Sequence, residues 1–161
     1  MRFPALPLRW MLMGLMLTSA AAPAADEPLA VIAAPAHAKA LNKETLAWIF
    51  KRKKLFWSDG ARVQPVNLPA SNPHRRAFSQ ALLGASPEEL EKYWNDLYFH
   101  GVSPPYVVSS EEAVLRFVAE NPGAVGYVPY CSADSRVAIA LVITAAGRVS
   151  EDPSSIACPG K

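Results

Sequence analysis

Residues 41–57 read LNKETLAWIFKRKKLFW, followed by Ser58, Asp59 and Gly60. This is the pattern of an amphipathic helix that runs into a basic segment, an aromatic pair and a tight turn. Asn42 is placed to cap the helix, its side chain accepting from an early backbone amide. Leu41 before the cap and Leu46 after it suit a hydrophobic staple. Leu46, Ile49 and Phe50 recur at helical spacing, so one face is apolar. Lys51, Arg52, Lys53 and Lys54 stand at the C-terminal end, where positive charge complements the helix macrodipole.

Working outward, Leu29 to Ala33 (LAVIA) ends at Pro35 and predicts a short buried strand. Val63 to Leu68 predicts a weaker strand, which Pro65 assigns to an edge because proline has no N–H for a second neighbour. Asn72-Pro73 opens a helix, with Asn at the cap and Pro at the first helical position. Phe78, Ala81 and Leu82 form its apolar stripe and Gly84 ends it. Ser86-Pro87-Glu88-Glu89 is a capping box and the clearest helix start in the chain. Leu90, Trp94, Leu97 and Tyr98 are assigned to the core from that helix, and Gly101 stops it. Tyr106 to Val108 reads as extended. Ser109 or Ser110 caps a further helix, with Glu111 and Glu112 in its first turn and Val114, Phe117 and Val118 on its buried face. Asn121-Pro122-Gly123 is a turn. Ala124 to Val128 and Val137 to Thr144 read as buried strands, with a turn at Gly147. Strands alternating with helices indicate an α/β domain with a mixed or mainly parallel sheet flanked by helices.

Three of these segments, in this order, resemble the phosphate-type periplasmic solute-binding proteins. The first is T-L-A-W-I-F with its basic run, tryptophan and aspartate. The second is SNPHRRAF (71–78), which stands where that family has a serine-glycine-threonine anion loop opening a helix. The third is NPGAVGYVPY (121–130), similar to the family's G-A-I-G-Y-V strand. The resemblance spans residues 29–130 and implies a single lobe of the type II periplasmic-binding-protein fold. It also implies a phosphate-like ligand and a link to phosphate ABC transport. Ser71 matches the family's serine, whereas Asn72 and Pro73 replace the glycine and threonine. Asn67 and Pro69 stand where the family has an arginine and an aspartate.

The first residues read as a secretion signal. Arg2 and Arg9 form a positive n-region, Trp10 to Leu17 a short apolar core, and Ala22-Pro23-Ala24 an A-x-A cleavage site. The apolar run is too short for a membrane span of about 20 residues. The expected organisation is a signal peptide over 1–24 and a binding-protein-like domain over 25–161. Removal of Arg2 and Arg9 leaves 14 of the 16 basic residues against 14 acidic ones, so the mature chain is near neutral. The sequence pI therefore says little about nucleic acid; no nucleic-acid partner and no stable membrane insertion after signal removal are expected. The expected location is periplasmic or secreted. There an even cysteine count predicts a Cys131–Cys158 disulfide stapling the tail to the end of the 124–128 strand.

Chemistry concentrates at the helix start after Asn72. His74, Arg75 and Arg76 lie in its first turn, where cations oppose the macrodipole. An anion resolves that conflict, because free amides and positive side chains converge on it. Ser71, Asn72, His74, Arg75 and Arg76 are therefore the ligand-binding candidates; the competing reading is a solvated turn whose arginines pair with surface carboxylates. His37, His74 and His100 have no metal-ligand spacing. No nucleophile elbow, P-loop or dinucleotide fingerprint occurs, so no catalytic residue, metal or cofactor is expected. Two functions remain. One is an exported module that binds a small oxyanion weakly; the other is an envelope interaction protein that docks on a transporter or another partner. Export should remove residues 1–24; an intact mass that retains Met1 to Leu17 would contradict this.

Overall fold

The computed structural model describes residues 27–158; the signal-peptide reading lies outside them. The elements in chain order are β1 (Leu29–Ala33), α1 (Pro35–Ala38), α2 (Lys43–Phe50), β2 (Gln64–Asn67), α3 (Pro73–Leu83), α4 (Glu91–Tyr98), β3 (Tyr106–Val107), α5 (Glu111–Glu120), β4 (Ala124–Pro129), β5 (Ala138–Ile143) and β6 (Val149–Ser150). Among the described residues the strands form one sheet in the order β3-β2-β4-β1-β5-β6. β2 runs parallel to β3 and β4, whereas β1 is antiparallel to both β4 and β5, and β6 is antiparallel to β5. The sheet is therefore mixed rather than mainly parallel.

β1 is buried along its whole length, as its uniformly apolar sequence requires of a strand covered on both faces. Alternation along β4 shows what covers each face. Gly126 faces α5: a Cβ there would lie 2.6 Å from Val114 Cγ1 and 2.8 Å from Val66 Cγ1. Glycine is the residue that permits this approach. Tyr127, the next residue, points to the opposite face, where its ring stacks on Phe78 of α3 at 3.8 Å and meets Phe50 of α2 at 6.2 Å.

The expected caps are present. Asn42 accepts from the Thr45 amide and Ser110 from the Ala113 amide, each satisfying a helix-end donor. α2 closes with Arg52 N donating to Ile49 O and Lys53 N to Trp48 O. In that arrangement the residue after the cap takes a left-handed conformation. Here it is Arg52 at φ 58°, the sole non-glycine with positive φ among the described residues. Glycine is favoured at such a position because a Cβ crowds the following carbonyl.

Three expectations are corrected. β2 is interior, lying between β4 and β3. Pro65 is tolerated because Gln64 N bonds to Gly123 O on the β4 side, so the Pro65 nitrogen faces the β3 side. There the pairing begins only at Val66. The capping box forms, with Ser86 N donating to Glu89 and Glu89 N to Ser86 Oγ, but residues 87–90 are a turn and α4 begins at Glu91. Leu90 is buried, yet no α4 residue is: Trp94 and Leu97 are half-buried and Tyr98 is 68% exposed. α4 lies outside the core and docks through Tyr93, whose hydroxyl donates to Lys51 O at 2.7 Å.

Cys131 and Cys158 are bonded, their Cα atoms 5.5 Å apart, as expected. The Tyr130 hydroxyl, donating to Pro153 O, fastens the same tail. Phe78→Ala should cost about 3–5 kcal/mol, because a fully buried aromatic leaves a cavity. Trp94→Ala should cost only about 1–2 kcal/mol, in keeping with partial burial. Urea denaturation of both variants checks the order; equal losses would show that α4 belongs to the core.

Candidate functional site

The site lies where β2 ends and α3 and α5 begin. Asn72 caps α3, its Oδ1 accepting from the His74 amide at 2.8 Å and the Arg75 amide at 3.4 Å. The other end of the same side chain is then free to reach across. Asn72 Nδ2 donates to Glu111 Oε1 at 3.0 Å, and His74 Nδ1 stands 3.1 Å from that oxygen. A carboxylate only accepts, so Nδ1 carries a proton. His74 Nε2 is buried without a hydrogen bond, 3.9 Å from Glu27 Oε2. Burial pushes the Glu111 carboxyl up. Hydrogen bonds from Asn72, its own amide and His74, together with the His74 charge, outweigh this and hold it below the ordinary glutamate range.

The two arginines part company because successive helix residues point about 100° apart. Arg76 faces outward and pairs through both terminal nitrogens with both oxygens of Glu88. Arg75 turns inward and is 8% exposed. Its Nε is buried with no hydrogen-bond partner, and no carboxylate among the described residues pairs with it. Burial pushes its guanidinium below the ordinary arginine value, against an opposing influence from Tyr127. The Tyr127 phenol is itself pushed far up by burial. Its hydroxyl accepts from the Leu68 amide and donates to Asn67 Oδ1, each at 3.3 Å, and so ties the end of β2 to β4.

Of the five sequence candidates, the fold brings the Asn72 and His74 side chains together at Glu111 and turns Arg75 inward toward Tyr127. It leaves Ser71 exposed in the preceding turn and directs Arg76 away. Two residues went unseen in the sequence. Glu111 reads as one of two acidic residues in a helix first turn, a role Glu112 could fill alone. Tyr127 reads as a strand residue like its neighbours. Elsewhere, His37 is stacked on Trp57 at 4.4 Å and bonds Pro122 O and Asp59, while Trp57 Nε1 donates to Gly123 O. This clamp joins the 57–60 turn to the 121–123 turn and presents no nucleophile. Among the described residues no group of three or more His, Cys, Asp or Glu could hold a metal ion.

No protein-family model matches the chain, and no curated protein matches it. Solved structures do. An ABC-type phosphate transport receptor from Vibrio cholerae superposes with a TM-score of 0.56 at 23% identity, over 70% of this chain and 45% of the receptor. A putative phosphate ABC transporter substrate-binding protein with bound phosphate, from Clostridium perfringens, gives 0.55 at 19% identity, over 70% of this chain and 44% of that one. The chain thus has the fold of a part of these proteins and matches less than half of their length.

Because Glu111 is held below its unfolded value, its interactions stabilise the fold above the ordinary glutamate range. That contribution disappears as pH falls through the depressed folded value. Glu111→Gln should therefore melt below wild type at neutral pH, and the gap should close in acid. A gap independent of pH, followed by thermal melts, would show that the carboxylate charge is not what Asn72 and His74 hold.

Proposed function

We propose that this is an exported, non-catalytic binding domain that takes a small tetrahedral oxyanion, phosphate foremost, at the N-terminus of α3, and that it serves phosphate uptake. The observation that carries this reading is Arg75, a guanidinium buried at the helix start without a counter-charge. A buried charge is costly unless it is paired. An oxyanion would supply the pair, and a guanidinium fork suits it geometrically. Asn72 and His74, just before it in the chain, offer side-chain donors now occupied by Glu111. The Glu111 carboxylate thus stands in for the anion and competes with it, so affinity should be low. The phosphate named for both similar receptors, one of them with phosphate bound, supports the choice of ligand. The n-region, apolar core and A-x-A site support export; no described helix is long and apolar enough to cross a membrane.

A second reading, docking on a transporter or another envelope protein without a ligand, is favoured by one feature. Phe99 is 86% exposed beside Tyr98, two large aromatics in contact at the end of α4. Contiguous exposed apolar surface of this kind marks interaction sites.

Calorimetry with phosphate separates the two. Wild type should bind at about millimolar Kd. Glu111→Gln, which removes the competing charge, should bind about tenfold tighter, and Arg75→Ala should lose binding. If neither wild type nor Glu111→Gln gives heat with phosphate or sulfate at millimolar concentrations, the oxyanion reading fails and docking takes its place.

A further inference from the structure

A second pair of arginines lies at the other end of β2 from Arg75. Arg52, in its left-handed conformation at the end of α2, and Arg62, just before β2, line one cavity of about 360 Å³. Val63, Gln64, Pro65, Pro104, Tyr106 and Phe117 complete its wall. Arg52 is thus no ordinary solvated residue of a basic helix end. Its Nε is buried without a hydrogen-bond partner, and neither arginine forms an ion pair with a described residue. Burial, and next the charge of Arg62, push the Arg52 guanidinium below its ordinary value. Two cations thus share a cavity without a counter-charge, and one of them is displayed from a backbone position that favours glycine. The lining also has an aromatic part: the Tyr106 ring stacks on Phe117, centroids 5.8 Å apart and planes 18° apart.

We propose that this cavity binds a small organic oxyanion, with one carboxylate or phosphate head between Arg52 and Arg62 and a single aromatic ring against Pro104 and Tyr106. Guanidinium forks match carboxylate and phosphate oxygens in pairs. The volume is at the small end of ligand pockets and suits a one-ring molecule. An inorganic ion would satisfy the arginines but leave the aromatic wall in water. The site is separate from the one at α3, so neither proposal depends on the other.

Calorimetry with phenyl phosphate and with benzoate on the exported chain tests it. At least one probe should bind saturably. Arg62→Ala and Arg52→Gly should each weaken that binding about tenfold or more, the scale of one lost charge-assisted contact. Glycine suits the Arg52 backbone, and melting temperature verifies that both variants fold. Lys53→Ala, which removes an exposed neighbouring charge, should leave the affinity unchanged. Inorganic phosphate should bind at Arg62 more weakly than phenyl phosphate. The proposal is overturned if neither probe saturates at millimolar concentration, or if both folded arginine variants bind as well as wild type. It is also overturned if Lys53→Ala is as harmful as Arg62→Ala, or if inorganic phosphate matches phenyl phosphate at this site.

Discussion

The stack of Tyr127 on Phe78 is the contact on which the rest of the molecule's geometry depends. Both rings are fully buried, and Phe50 closes against Phe78 edge-on at 4.7 Å. Three elements far apart in sequence, α2, α3 and β4, are thereby held in one register on one face of the sheet. The Tyr127 hydroxyl adds a polar tie to Leu68 and Asn67, which sets where β2 stops and where the turn into α3 begins. A buried phenol needs such partners, since an unsatisfied hydroxyl in an apolar interior is costly. One side chain therefore positions both the core and the rim of the candidate site.

The same packing explains the fate of the two arginines. Phe78, Ser79 and Leu82 of α3 are drawn into the interior. Arg75 lies three residues before Phe78 and four before Ser79, on the same helical face. It has to follow them inward. Arg76 lies a third of a turn away and finds Glu88 at the surface. The inward arginine pairs with no carboxylate among the described residues, while the Asn72 and His74 side chains already hold one from Glu111. The first-turn amides of α3 are already capped by Asn72 Oδ1, and α5 delivers a carboxylate to the Asn72 and His74 side chains from within the chain. The Asn72 and His74 donors at the start of α3 are thus already occupied by a carboxylate of the same chain.

Much of this was legible locally. The Asn42, Asn72 and Ser110 caps, the Gly84 stop and the alternation of strands and helices follow from short-range chemistry, and all are present. The misreadings share a cause. Leu90, Trp94, Leu97 and Tyr98 do form a stripe, but a stripe shows only that a helix is amphipathic. How deeply it sinks depends on what else covers the sheet. α3 and α5 supply that cover, so α4 is left at the margin. Pro65 likewise shows that one backbone donor is missing, without saying on which side or how far the neighbouring strand extends.

By itself the sequence determined the caps of α2, α3 and α5, the buried strands β1 and β4 and the pairing of its two cysteines. All of these rest on interactions between residues a few positions apart or, for the cysteines, on there being only two. Tertiary structure alone decided which arginine turns inward, that Glu111 arrives from 36 positions beyond Arg75 to take up the donors of Asn72 and His74, and that Arg52 and Arg62 face one cavity. These outcomes depend on where α5, β3 and β4 lie relative to α2 and α3. Burial of the Phe50, Phe78 and Tyr127 rings places α2, α3 and β4, and the close approach of Val114 to Gly126 seats α5 on the other face; burial is proportional to area removed from water and leaves no short-range pattern in the chain.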